Sequence, residues 1–192
     1  LVSIVLLSTY QFINRTYASD PGTTGANFLK IGVGPRAAGM GEAQVAVCND
    51  VTSLFWNPAG LGRMSGQEAS FTYSMLFEGM RLQYFGYAYP FPTIGTLAGS
   101  VSYLSIEGIE GYTAYDVKTE KISAYDLLGV LSYAKELPCG IYGGINIKFI
   151  QEKLEKESAF AYGIDIGIIA NVNKLLKARR WEGVTLGLSL QN

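Results

Sequence analysis

From residue 67 onward, apolar and polar side chains alternate in runs that predict β-strands. Apolar residues recur at every second position, which places them on one face of a strand, whereas a helix would repeat them every three to four positions. The alternation predicts about seven strands, each long enough to cross a membrane when tilted. Their predicted ranges are 67–77, 81–89, 95–106, 122–135, 140–151, 159–171 and 183–191.

The two faces of these predicted strands differ in chemistry. In the strand 159–171, one face carries Phe160, Tyr162, Ile164, Ile166 and Ile168, and the other carries Ala161, Gly163, Asp165 and Gly167. The strand 122–135 has tyrosines at both ends of an aliphatic band, Tyr125 and Tyr133. Such a band is typical of a strand that faces lipid on one side and a lumen on the other. We therefore expect Ile166→Arg to be destabilising and a polar change at Asp165 to be tolerated.

A water-soluble β-sandwich also alternates apolar and polar residues, so alternation alone leaves two fold classes open. The charged residues favour one of them, because they are concentrated in the predicted connections 107–121 and 152–157 and are few on the non-apolar faces. The sequence therefore predicts an all-β fold, an antiparallel transmembrane β-barrel. A third connection, 173–182, is basic and amphipathic, and it is predicted either as a short interfacial helix or as a solvated turn.

Residues 19–65 precede the strands and are rich in Gly and Ala, with no period-two alternation. Pro35 is suited to the first turn of a short helix, and Asn49 or Asp50 can cap a second one. Asn57 before Pro58 repeats this arrangement, with Asn57 as the capping acceptor. We predict a compact, helical plug, whose charged residues Arg36 and Glu42 pair with polar groups of the lumen.

The two ends of the sequence carry further predictions. Residues 1–18 begin with an apolar run and end at Thr16-Tyr17-Ala18, which predicts a signal peptide remnant cleaved after Ala18; a buried N-terminal helix or strand is the alternative. Bacterial single-chain barrels have an even number of strands. We therefore expect residues 66–192 to be an incomplete set of barrel strands from a longer protein.

Composition agrees with a many-stranded fold and excludes several functions. The 192 residues include 23 Gly and 13 Tyr, and only 16% are charged. With 15 basic and 16 acidic residues, the chain lacks the basic surface of a nucleic-acid-binding protein. It has no histidine, which rules out a His-based triad, and its two cysteines do not form a zinc motif.

The remaining reactive side chains give no catalytic pattern. Asp116, Asp126 and Asp165 are scattered, so no acid and base are placed together, and we predict that the protein is not an enzyme and holds no cofactor. Cys48 and Cys139 can form a disulfide in an exported protein or remain two buried free thiols, and the second interpretation is favoured.

Two motifs in the predicted plug carry a family resemblance. The first is Phe28-Leu29-Lys30-Ile31-Gly32-Val33-Gly34-Pro35-Arg36-Ala37-Ala38-Gly39-Met40-Gly41-Glu42-Ala43, and the second is Trp56-Asn57-Pro58-Ala59-Gly60-Leu61. Together they resemble the N-terminal region of the PorV/PorQ outer-membrane proteins, which belong with the FadL-like barrels. The resemblance implies a plug motif formed by Arg36, Gly39, Met40, Gly41, Glu42, Asn57, Pro58, Ala59 and Gly60.

The resemblance also implies a location and two alternative functions. The protein is expected in the outer membrane of a Gram-negative-type bacterium, in contact with outer-membrane lipid. In the first function it serves type IX secretion by binding the translocon or exported cargo proteins. In the second it is a FadL-like channel that takes up apolar small molecules through the lumen. Fold alone does not decide between them.

Overall fold

The computed structural model describes residues 25–112, 118–155, 157–176 and 183–191. The predicted signal peptide, residues 1–18, lies outside these ranges, as does Asp116. Within them, the protein is a seven-stranded antiparallel sheet curled into a half-barrel, with the strands in chain order. The strands are β1 (Glu68–Met75), β2 (Arg81–Phe91), β3 (Gly95–Tyr112), β4 (Lys118–Leu137), β5 (Ile141–Leu154), β6 (Glu157–Asn171) and β7 (Thr185–Leu190).

The predicted all-β, antiparallel fold with seven strands is confirmed, but two predicted connections were wrong. Residues 107–121 were predicted as a loop, whereas β3 continues to Tyr112 and β4 begins at Lys118. Register shifts between Ile106 and Ile109 and between Glu110 and Tyr112 interrupt the alternation there, so the period-two signal ended too early. Residues 152–157 are mostly strand as well, because β5 ends at Leu154 and β6 begins at Glu157.

Residues 25–66, the N-terminal segment, contain only short helices and turns. They are α1 (Pro35–Gly39), α2 (Ser53–Trp56), and the 3₁₀ turns Asn27–Lys30 and Pro58–Arg63. Pro35 stands in the first turn of α1, as predicted. Asp50 Oδ1 accepts a hydrogen bond of 2.9 Å from the backbone N–H of Thr52, as predicted, in the turn that precedes α2; Thr52 is the N-cap residue of that helix.

The N-terminal segment packs on one face of the sheet and forms the core with it. Apolar side chains from both parts meet in this core, namely Phe28, Val51, Leu54 and Leu61 of the segment and Leu82, Leu104, Leu128, Val130 and Ile150 of the strands. The sheet therefore has a buried face, covered by the segment, and an exposed face.

The remaining elements lie between strands. A third helix, α3 (Val172–Leu176), follows β6 and falls in the connection for which an interfacial helix was one alternative; residues 177–182 are outside the described ranges. Turns also occupy Phe77–Gly79 and Pro138–Gly140. In the described ranges, no helix has the length and apolar character needed to cross a bilayer.

Both cysteines are free thiols. Cys48 is buried in the N-terminal segment, as predicted, but the prediction was wrong for Cys139, which is exposed. Cys139 occupies the turn between β4 and β5 with a φ of 65°, and turns between strands lie at the surface.

Candidate functional site

The contact between the N-terminal segment and strands β5, β6 and β7 is centred on one side chain, Asn57. It is fully buried and caps the turn Pro58–Arg63, because its Oδ1 accepts a hydrogen bond of 3.1 Å from Ala59 N. Its Nδ2 donates to Val45 O at 2.8 Å within the segment. The same nitrogen lies 3.4 Å from Ile168 O of β6 and 3.3 Å from Leu188 O of β7. Asn57 thus joins the segment to two strands.

Glycines on the buried face of the sheet allow this close approach. They are Gly144 in β5, Gly167 in β6 and Gly187 in β7. A Cβ at residue 167 would lie 1.9 Å from Asn57 Oδ1, and one at residue 144 would lie 2.4 Å from the carbonyl carbon of Pro58. A Cβ at residue 187 would lie 2.6 Å from Ala46 Cα. Any side chain at these three positions would force the segment away from the strands.

The Asn57-Pro58-Ala59-Gly60 motif is equally close-packed on its other side. All four residues are buried, and a Cβ at Gly60 would lie 2.5 Å from Cys48 Sγ. Burial raises the pKa of the Cys48 thiol, since the thiolate loses its hydration there. Cys48 is therefore a packing residue rather than an activated nucleophile.

Two side-chain amides, one in β5 and one directly after β7, satisfy the last carbonyls of α2. Carbonyls at the end of a helix have no partner within the helix and need one elsewhere when they are buried. Asn146 Nδ2 donates to Leu54 O at 2.8 Å. Gln191 Nε2 donates to Phe55 O at 2.7 Å and lies 3.3 Å from Trp56 O. The segment is thus held by hydrogen bonds from side-chain amides to its backbone carbonyls as well as by packing.

A buried ion pair between Lys148 and Asp165 lies next to Asn146 and is hydrogen-bonded to it. Lys148 Nζ of β5 lies 2.7 Å from Asp165 Oδ1 of β6, and the other oxygen of Asp165 accepts a hydrogen bond of 3.0 Å from Asn146 Nδ2. Asp165 has no exposed surface and Lys148 has little. Breaking a buried ion pair is destabilising, so the structure leads us to expect a loss of stability on a polar change at Asp165, where the strand pattern alone predicts tolerance.

The first motif of the plug is divided between the core and the surface, because Phe28 packs against the strands whereas the later residues are exposed. Its predicted site residues are exposed: Arg36, Gly39, Met40, Gly41 and Glu42. Arg36 Nη1 lies 2.8 Å from Asn49 Oδ1 and 3.1 Å from Asp50 Oδ2. Arg36 was predicted to pair with polar groups of the lumen, and its partners are instead Asn49 and Asp50 inside the segment. The two motifs are connected by Trp56, whose Nε1 donates to Val33 O at 2.9 Å.

Little space is left between the segment and the sheet at the ion pair. The cavity bounded by Leu54, Tyr84, Ser100 and Lys148 has a volume of about 10 Å³. That volume holds about one water molecule and no larger ligand. Within the described ranges, no three metal-ligating side chains come close enough to hold an ion.

Sequence reasoning placed Asn57 and Pro58 correctly because a cap is a local feature, but it missed Asn146, Lys148 and Gln191. For Asn146 and Lys148 the available signal was two polar residues at alternate positions of β5, on its buried face. Comparison with protein-family models gives no match for this chain, and comparison with curated protein sequences gives none either.

Proposed function

We propose that this protein is an outer-membrane β-barrel protein with a permanently seated N-terminal plug, and that it serves type IX secretion by binding the translocon or its cargo. One observation carries the membrane part of the proposal: the exposed face of the sheet has a continuous apolar band, while the charged pair Lys148 and Asp165 lies on the buried face. In β6 the exposed residues Phe160, Tyr162, Ile164, Ile166 and Ile168 have between 47% and 76% of their surface accessible. A water-soluble monomer does not usually expose so large a continuous apolar surface.

The length of the apolar band fits a bilayer. From Phe160 to Ile168 the chain advances eight residues, which is about 27 Å along a strand and about 20 Å across a membrane for a strand tilted by about 40°. Outer-membrane barrels have an apolar band of roughly 25 Å. Aromatic rings lie at both ends of the exposed face: Tyr89 packs on Phe91 at 4.7 Å at one end, and Tyr103 lies 5.7 Å from Tyr125 at the other. Such rings suit the two interfaces of a bilayer.

Two adjacent residues of β6 test the membrane assignment. We expect Ile166→Arg in the full-length protein to reduce the free energy of folding into lipid vesicles by about 2–4 kcal/mol, because a charge would enter hydrocarbon. Ile166→Leu is the matched control and should change it by less than about 1.5 kcal/mol. Equal folding of both variants into vesicles, measured by urea titration, would argue against lipid contact at this face.

The seating of the N-terminal segment favours secretion over transport. A channel that opens by moving its plug would have to break the Asn57 contacts, the amide caps of α2 and the apolar core together. A fixed plug suits a barrel that presents a binding surface, and the PorV/PorQ resemblance supplies the proposed partner.

Cysteine labelling separates the two functions. In full-length Cys139→Ser protein, which retains Cys48, we expect no reaction with a maleimide in vesicles, because Cys48 is buried and its pKa is raised. Cys48→Ser protein should react at the exposed Cys139. Adding a long-chain fatty acid should leave Cys48 unreactive. Labelling of Cys48 on fatty-acid addition would instead support a channel with a mobile plug.

A strain that lacks the plug tests secretion separately. If the protein serves type IX secretion, we expect this strain to lose export of cargo proteins.

A further inference from the structure

The apolar pattern of β7 leaves its register on β6 open. β7 presents a leucine to the exposed face at every second position, so neighbouring registers place its leucines beside similar residues of β6. A shift of β7 by one residue would turn the leucines to the buried face, and their alternation excludes it. A shift by two residues keeps every leucine exposed. The three pairs on the exposed face are Ile166 with Leu190, Ile168 with Leu188, and Ala170 with Leu186.

The connection between β6 and β7 does not fix the register either. A tight turn sets the register of a hairpin through its type and length. Residues 92–94 form such a connection between β2 and β3, whereas residues 172–184 join β6 to β7. The loop-closure entropy of a connection of this length changes little with two residues more or less, so the connection tolerates a shift of β7.

The N-terminal segment stands at a fixed level on β5 and β6. A Cβ at residue 167 would lie 1.9 Å from Asn57 Oδ1, and one at residue 144 would lie 2.4 Å from the carbonyl carbon of Pro58. Gly144 and Gly167 are cross-strand partners, so the segment rests on both strands at one level. The segment cannot move along β6 by two residues, because a side chain would then stand in the place of Gly167.

On β7 the segment leaves no room for a side chain at Gly187. A Cβ there would lie 2.6 Å from Ala46 Cα and 2.7 Å from Val45 O, and both are backbone atoms. A shift of β7 by two residues would bring either Thr185 or Ser189 to this place, depending on its direction. Each carries a side chain, so each would collide with the segment. Gly187 therefore marks the register that the segment accepts.

A hydrogen bond directly after β7 favours the same register. Gln191 Nε2 donates to Phe55 O, a carbonyl at the end of α2, at 2.7 Å. A shift that brought Ser189 to this position would replace the amide by a short hydroxyl side chain. The carbonyl would then lose this donor, which it needs because the helix supplies none.

We propose that the N-terminal segment is a template that selects the register in which β7 pairs with β6. The segment is anchored on β5 and β6 at Gly144 and Gly167, and it distinguishes the residues of β7 through Gly187 and Gln191. It precedes the strands in the chain, so it is present when β7 pairs. This function concerns folding, goes beyond the proposed role in secretion and does not depend on it.

The test measures which residue of β7 lies opposite residue 168. Full-length Cys48→Ser/Cys139→Ser protein lacks the two free thiols and is folded in detergent micelles and oxidised. It carries Ile168→Cys together with one of three changes, Leu186→Cys, Leu188→Cys or Leu190→Cys. A disulfide needs Cα atoms about 4.4–6.8 Å apart, so it forms between residues directly opposite each other and not between diagonal ones. We expect residue 168 to cross-link mainly to residue 188, its partner in the native register.

The exchange Thr185→Gly/Gly187→Thr moves the glycine by two residues and keeps the composition of β7. Because the side chain of residue 187 would then meet Ala46, we expect the 168–186 cross-link to rise about tenfold relative to the 168–188 cross-link. Thr185→Ser is the matched control, and it should leave the ratio unchanged because Gly187 stays in place. Gln191→Ala should raise the shifted cross-links about threefold relative to the native one, since it removes one hydrogen bond.

A second cysteine pair shows whether each variant folds. Phe85→Cys with Val101→Cys lies on β2 and β3, away from the exchange, and should cross-link in every variant. An unchanged ratio in an exchange variant that keeps this pair would overturn the template, because β7 would hold its register without the glycine. If the exchange variant loses the pair, Gln191→Ala decides, because it changes an exposed residue after the strand. An unchanged ratio there would overturn the template as well.

Discussion

Full-length protein carrying Gly167→Ala is expected to lose about 2–4 kcal/mol of folding free energy in lipid vesicles. The added methyl group would lie 1.9 Å from Asn57 Oδ1, where no shift of a flexible chain end can relieve it, because Asn57 is fully buried. Overpacking alone costs roughly 1–3 kcal/mol, and displacement of Asn57 also removes a cap worth about 1 kcal/mol. Urea titration of the vesicle-folded protein measures the loss.

Gly129→Ala is the matched control. Gly129 lies in β4 of the same sheet, and a Cβ there would meet no atom within 4 Å, so the substitution should be nearly neutral. The double variant Asn57→Gly/Gly167→Ala should be less destabilised than the sum of the two single variants, since the methyl group then has room. Equal losses for Gly167→Ala and Gly129→Ala would show that the segment does not rest on β6.

The strands could be predicted because their signal is local. A strand with an apolar residue at every second position can be recognised without knowing its partner strand. This signal located all seven strands to within a few residues, except at the end of β3 and the start of β4, which extend beyond the predicted ranges. It ended where the chain departs from regular pairing after Ile106. The hydrogen bonds accepted by the side chains of Asp50 and Asn57 were predictable for the same reason, because donor and acceptor are two residues apart.

The position of the segment on the sheet could not be predicted, because it depends on contacts between residues that are distant in sequence. Gly144 and Gly167 were visible as glycines, but their need for a missing side chain arises only from Pro58 and Asn57, at least 86 residues earlier. Asp165 was assigned to the polar face of its strand, and burial beneath the segment was not foreseen. The alternation of a strand shows which side chains share a face, but it does not show which part of the protein covers that face.

The buried ion pair gives the second large effect. We expect Asp165→Ala and Lys148→Met each to reduce the free energy of folding by about 3–5 kcal/mol, because each removes one charge of the buried ion pair and leaves the opposite charge buried. Lys135→Met, at an exposed lysine, is the control for Lys148→Met and should be near neutral.

The double variant Asp165→Ala/Lys148→Met separates the cost of a buried unpaired charge from the role of Asp165 in positioning Asn146. With both charges removed, no unpaired charge is left, so the double variant should be more stable than either single variant. Asp165 also positions Asn146, which holds Leu54 O of the segment. We therefore expect Cys48 to react faster with maleimide in Asp165→Ala than in the unchanged protein, and the double variant to keep part of this increase, because its Asn146 still lacks the carboxylate. Additive losses in the double variant would mean that the two charges do not stabilise each other. An unreactive Cys48 in all three variants would mean that the ion pair is not needed to hold the segment in place.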